Sequence, residues 1–237
     1  MDNKKLIDRR EFMLKALSAS ALVAVGSGVF IPRQSQAARP SKLVGRSIFK
    51  LRGQVWVNGK KASINTPIRS MDSVRTGSNS RVSFAVGGDA FLLRSNTHLQ
   101  MKARKSTGSL GLLRLLSGKF LGVYGKGPLR AIKTTTATIG IRGTGVYVEA
   151  DEKQSYVCTC YGETDVYTAD EKTKEVVKSK HHDQPLYVIK DEQGERIEAA
   201  PFINHTDEEL ELLEALVGRT PEYAFPKRGF GSKRGGY

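Results

Sequence analysis

Between Leu43 and Ile189 the chain has no long run of apolar residues at helical spacing. It has short runs with a period of two, each cut off by glycine or a polar turn, and this pattern limits the possible folds more than any other feature. "RVSFAV" puts Val82, Phe84 and Val86 on one face, and "HLQMK" does the same with Leu99 and Met101. "GQVWV" runs into "NGKK", where Asn58-Gly59 is a strong hairpin turn pair. "GGD" turns the chain into "AFLLR". "GLLRLLSGKFLGVYGKG" reads as two short apolar runs separated at Ser117-Gly118, and "LRAIKTTTATIGIRGTGVYVEA" as a β-branched stretch interrupted by Gly140, Gly143 and Gly145. "SYVCTCYGETDVYTADEKTKEVVKSK" reads as a meander with turns at Gly162 and at Asp170 to Lys172. The expectation is an all-β domain over residues 41–190.

One helix interrupts this pattern, in an extension over residues 191–226. In "NHTDEELELLEALVGRTP", Thr206 is an N-cap and Glu209 stands three places on, the spacing of a capping box. Leu210, Leu213 and Val217 form an apolar stripe, widened by Leu212 and Leu216, and Gly218 is placed to end it before Pro221. Such a stripe has to be covered, so the helix docks on the β domain or on a partner. Residues 227–237 are glycine-rich and basic with little to bury, and are expected to be disordered.

The first 37 residues have the layout of an export signal: a basic start, an apolar run from Ala16 to Ile31, then Ser35 and Ala37 as small residues for cleavage. The apolar run is shorter than the roughly 20 residues of a membrane span, so no membrane helix is expected in the mature chain. Arg9-Arg10, with Phe12 two places on and Lys15 closing the box, resembles the twin-arginine export motif, although Asp8 stands where that motif usually has Ser or Thr. The resemblance implies a periplasmic protein delivered folded by the twin-arginine translocase.

Charge is strongly divided along the chain. The net formal charge is +14, yet Ala38 to Val148 carries 20 Lys and Arg against 2 Asp and Glu, while Glu149 to Pro226 carries 8 against 19. Either the acidic half folds against the basic half, or a basic face meets an anionic partner. Export argues against nucleic acid and for an envelope protein or an anionic envelope polymer.

Two stretches resemble the FecR domain family. The first is "MDSVRTGSNSRVSFAVGGDAFLLRSNTHLQM"; the second contains Ala137-Thr138-Ile139-Gly140-Ile141-Arg142-Gly143-Thr144, similar to the family's most specific signature. The similarity spans roughly residues 45–168. It implies a twisted, solenoid- or sandwich-like all-β fold and a non-enzymatic periplasmic sensing or scaffolding role. The founding role of the family is to read an outer-membrane receptor and control a sigma factor through a cytoplasmic segment and a membrane span. With a twin-arginine leader in their place, direct sigma-factor control is not expected. Read from the residues alone, Gly140 and Gly143 mark bulges or close backbone approach. Arg142 is a fold residue able to bind several carbonyls, and Thr144 can satisfy a nearby backbone group.

Support for catalysis is thin: no nucleophile elbow is present, and Asp72 and Asp89 stand isolated among basic residues. The chemistry worth following lies in "YVCTCYG". Cys158 and Cys160 are the only cysteines and share one face of a strand, about 6.6 Å apart along it. Bridged sulfurs need Cβ atoms near ~3.8 Å, so a disulfide between them would be strained. Two readings compete: a buried core pair, or a soft-metal site for zinc or copper completed by His181 or His182. A simple meander argues against the second, because it would leave His181 two strands away, near ~9.6 Å. A redox or intermolecular disulfide is a third possibility.

Overall fold

The computed structural model describes residues 47–221 and Tyr223, which form fifteen strands in one hydrogen-bonded network and one α-helix. The leader with Arg9, Arg10, Phe12 and Lys15, and the tail 227–237, lie outside the described residues. Among the described residues no helix is long and apolar enough to cross a membrane. The all-β expectation is met.

The network divides into two sheets that share two strands. The front sheet runs β1 (Ile48–Arg52), β5 (Arg81–Val86), β6 (Asp89–Leu93), the second half of β8 (Leu110–Val123), β11 (Gly145–Ala150), the first half of β12 (Gln154–Thr168), β14 (Leu186–Asp191) and β15 (Gly194–Ala199). The back sheet runs β3 (Lys60–Lys61), β2 (Val55–Val57), β4 (Ser73–Thr76), β7 (His98–Ala103), the first half of β8, β9 (Arg130–Lys133), β10 (Ala137–Ile141), the second half of β12 and β13 (Lys174–Ser179). Every pairing is antiparallel except β8 with β9. Because β8 and β12 belong to both sheets, the sandwich closes on itself like a barrel.

Glycine makes both corners. In β8, Ser117 still faces His98 of the back sheet, while Gly118 faces Ala150 of the front. In β12, Tyr161 faces Gly145 of the front sheet, while Gly162 faces Ser179 of the back. Gly118 and Gly162 have φ of +91 and +90, and a Cβ on them would lie 2.5 Å from Thr97 Cα and 2.7 Å from Thr144 Cβ. Neither position ends a strand, contrary to expectation. Each glycine bends one continuous strand through a left-handed conformation that a side chain could not share. The other turns are as read: Asn58 and Gly59 have φ of +50 and +77, both positive as a two-residue hairpin requires.

Period-two alternation then sorts the side chains. Phe84, Phe91 and Phe120 of the front sheet pack against Leu99, Leu113, Ile132 and Ile139 of the back sheet in the main core. Alternate residues of the front sheet point outward yet are also buried: Leu92, Leu121, Tyr147, Tyr156, Cys158 and Cys160. What covers them is α1 (Asp207–Leu216), through Leu210, Leu213 and Leu216. At ten residues this helix is shorter than the ~12–15 that are marginal alone, so it depends on docking.

Gly218, φ +72, follows the C-cap Val217, and Leu212 of the expected stripe is in fact exposed. The capping box does not form. Thr206 occupies the N-cap position but makes no side-chain cap bond, and Glu209 is drawn to the sheet by Arg81 at 2.9 Å and Arg94 at 2.7 Å.

The signature residues divide as well. Gly140 is a regular member of β10, paired with Ala131 and Asp165, with ordinary space for a Cβ, so it is no bulge. Gly143 has φ +64, in the left-handed region that favours glycine, with ordinary space around a Cβ. Arg142 lies on the surface against Asp165 at 2.8 Å and Glu163 at 3.9 Å, binding carboxylates where carbonyls were expected. Thr144 is buried, and its hydroxyl donates to the Gly145 carbonyl at 3.2 Å.

Candidate metal centre

Strand periodicity puts Cys158 and Cys160 on the outer face of the front sheet, just before the Gly162 corner. Both are fully buried and unbridged. The β12 corner brings the histidines to them. β13 pairs with β12 after the corner (Ser179 opposite Gly162), and β14 pairs with it before the corner (Leu186 opposite Val157). The connection between β13 and β14 therefore passes directly beside Cys160, and the His182 N–H donates to the Cys160 carbonyl at 2.9 Å. The two-strand separation expected of a simple meander does not arise. His182 has φ +55, an uncommon backbone conformation for a non-glycine residue, held here by the corner.

A second imidazole arrives from much further along the chain. His205, next to the N-cap of α1, is buried and stacks on Tyr147 with ring centroids 4.4 Å apart. Cys158 Sγ lies 3.4 Å from His182 Nδ1, Cys160 Sγ 3.4 Å from His205 Nε2, and the two nitrogens 3.1 Å from each other. All four donor atoms fall within 4.8 Å of one another. Zinc bonds of ~2.3 Å to sulfur and ~2.05 Å to nitrogen give a tetrahedron with S–N edges of about 3.5 Å and an N–N edge of about 3.3 Å. The two S–N distances of 3.4 Å and the N–N distance of 3.1 Å lie close to those edges, and the remaining pairs fall within 4.8 Å.

The outward ring nitrogens decide which way the lone pairs face. His205 Nδ1 lies 2.7 Å from the Ile203 carbonyl, which can only accept, so this nitrogen carries the proton. His182 Nε2 lies 3.1 Å from Asp207 Oδ1. Burial would raise the Asp207 carboxyl, but hydrogen bonds from His181 and His182 outweigh it and hold the group below its ordinary value, so it too accepts. In the neutral rings, His182 Nδ1 and His205 Nε2 then point lone pairs at each other and at two sulfurs. Two imidazole lone pairs converge on two thiols in a buried space, and once the thiols give up their protons the four donor atoms suit a cation. A carbonyl and a carboxylate fixing the outer nitrogens are the supports that metal-bound histidines have.

The thiols are already unequal. A hydrogen bond from Cys160, with His182 and His205 close by, holds the Cys158 thiol well below its ordinary value against burial. Burial, with Cys158 beside it, pushes Cys160 up. Burial also opposes charge on His182, yet Cys158 and Asp207 raise it overall. Cys158, His182 and Asp207 thus also form the chain of an activated thiol. With Cys158 wholly buried, that thiol has no access to a substrate in this conformation.

The structure brings together three of the four residues expected at the site. His181 is not among them: its Nε2 lies 2.9 Å from both oxygens of Asp207, on the exposed side. His205 and Asp207 went unpredicted. The available signal was a histidine directly before an N-cap, on a helix whose apolar stripe had to be covered by the β domain or by a partner.

No family profile matches the sequence, and no curated protein matches it. Two crystal structures, each of a candidate anti-sigma factor from Parabacteroides distasonis ATCC 8503, are similar in part. One has a TM-score of 0.45 at 11% identity, covering 54% of this chain and 58% of that chain. The other has a TM-score of 0.46 at 10% identity, covering 60% and 64%. The chain therefore spans less than two thirds of the length of either.

Proposed function

We propose that this chain is an exported, non-enzymatic module of the FecR type, periplasmic, whose sensing element is a soft-metal centre held by Cys158, Cys160, His182 and His205. The observation that carries the proposal is the pair of imidazole nitrogens 3.1 Å apart, each with its other ring nitrogen engaged by an acceptor, next to two thiols. Two thiolates and two imidazoles suit zinc, and the sulfur content also suits copper(I). The twin-arginine leader fits a protein that takes up its metal before export. Delivery by the translocase through Arg9 and Arg10, and an interaction between the basic half and an anionic envelope polymer or protein, complete the reading.

The test is metal content by mass spectrometry on protein exported by its own leader. One zinc or copper per chain is expected, lost in the Cys158→Ser, Cys160→Ser double variant, and the Arg9→Lys, Arg10→Lys variant should not reach the periplasm. Metal-free exported protein with two titratable thiols would make the pair ordinary core residues.

A further inference from the structure

We infer that the metal is a clasp: binding it seats the segment from Phe202 through α1 on the front sheet, and losing it frees that segment and uncovers the apolar face beneath. This rests on the metal reading above and adds the regulation of that site.

The ligands come from three separate parts of the chain. Cys158 and Cys160 belong to the sheet, His182 to the connection after β13, and His205 to the lead-in to α1, 45 residues beyond Cys160. Asp207, the first residue of α1, holds both His181 and His182. The first turn of the helix is therefore tied to the sheet through the cluster. Thr206, which could have stabilised that turn locally, makes no cap bond.

The other polar ties connect the C-terminal segment to the front sheet without reaching the His182 connection: Arg81 meets Glu209, Asn204 donates to Glu149 and Arg219 donates to the Gly88 carbonyl. The Tyr156 hydroxyl donates to the Pro201 carbonyl and accepts from the Ile203 N–H; Arg94 reaches the Asn204 carbonyl and Glu209. Glu214 holds Tyr161 and Arg219 at the far end. A proton in the cluster would bridge only two of its four donor atoms. A metal ion joins all four, and with them all three segments.

The seated segment covers a surface that a soluble β-sandwich would not leave open. Ala90, Leu92, Leu121, Val123 and Tyr147 are all essentially inaccessible beneath it. Opening the clasp would present these residues as one contiguous apolar face, which among the described residues α1 and its lead-in cover. Metal occupancy would thereby set whether the face is covered by α1 or available.

Hydrogen exchange read by mass spectrometry on the whole exported chain tests this in three states: as isolated, after chelation, and after reloading with zinc alone. Exchange in peptides spanning 202–216 should rise at least tenfold on chelation and return with zinc. Peptides from β7 and β10 in the back sheet should not change. The His205→Gln variant should exchange like chelated protein with or without zinc while the back sheet stays protected. If metal is present and removed, as mass spectrometry counts it, and 202–216 stays protected, the clasp is wrong although the metal site stands. Wild-type protection of 202–216 in His205→Gln would overturn it equally. A chain that holds no metal in any state takes down the site and the clasp together.

Discussion

The two outer faces of the sandwich come from overlapping strands and have opposite fates. The front face, built on β6, β8, β11 and β12, is apolar, carries the thiols and is covered by α1. The back face is open and basic: Arg75, Lys102, Arg114 and Lys133 are exposed and have no ion-pair partner among the described residues. On the front, the cations nearest α1 and β11 are answered. Arg81 and Arg94 meet Glu209, and Lys119 meets Glu149 at 2.8 Å. The division of charge along the sequence thus resolves in both of the ways it allowed. Part of the acidic half folds back on the basic half, and the rest of the basic half is left for solvent or an anionic partner. The difference teaches that one strand can serve two environments when a glycine corner lets it change sheets.

Breaking a corner should have the largest effect, because it disturbs both faces at once. Gly162→Val combines φ +90 with a Cβ 2.7 Å from Thr144 Cβ and should cost more than about 4 kcal/mol in denaturant unfolding, or leave no soluble protein. Gly143→Val has φ +64 but no atom nearer than 3.7 Å, so only backbone strain of roughly 1–3 kcal/mol is expected. Equal costs at the two sites would show that steric crowding at the corner is unimportant.

A matched pair of double variants then separates the faces. Arg81→Gln with Arg94→Gln leaves Glu209 partly buried without its partners and should cost about 1–3 kcal/mol. Lys102→Gln with Arg114→Gln should leave stability within about 0.5 kcal/mol, yet elute from envelope fractions at lower salt than wild type. Unchanged retention on the envelope would remove the back face as a docking surface.

The smallest effect is expected at Thr206→Ala. A working cap contributes about 1 kcal/mol, but with no cap bond in place the change should stay below about 0.5 kcal/mol. A full cap-sized loss would mean that the capping box forms in solution and that Glu209 leaves the arginines.

Much of this architecture was legible from local pattern. Period-two runs marked nearly every strand, Asn58-Gly59 marked its hairpin, and Leu210, Leu213 and Gly218 marked the helix and its end. The same periodicity put Cys158 and Cys160 on one face, which was half of the site. Those features depend on neighbours within a few residues, so the sequence states them directly. Tertiary structure alone decided the rest. Gly162 looked like a turn and proved to be a fold within one strand, which a local pattern cannot distinguish because both need a positive φ. Glu209 had the spacing of a capping partner, but two guanidiniums from distant strands offered it charge where the cap offered only an amide. His205 joined the thiols across 45 residues because the apolar side of α1 had one uncovered sheet face to seat on, and seating it brought the preceding histidine over the cysteines.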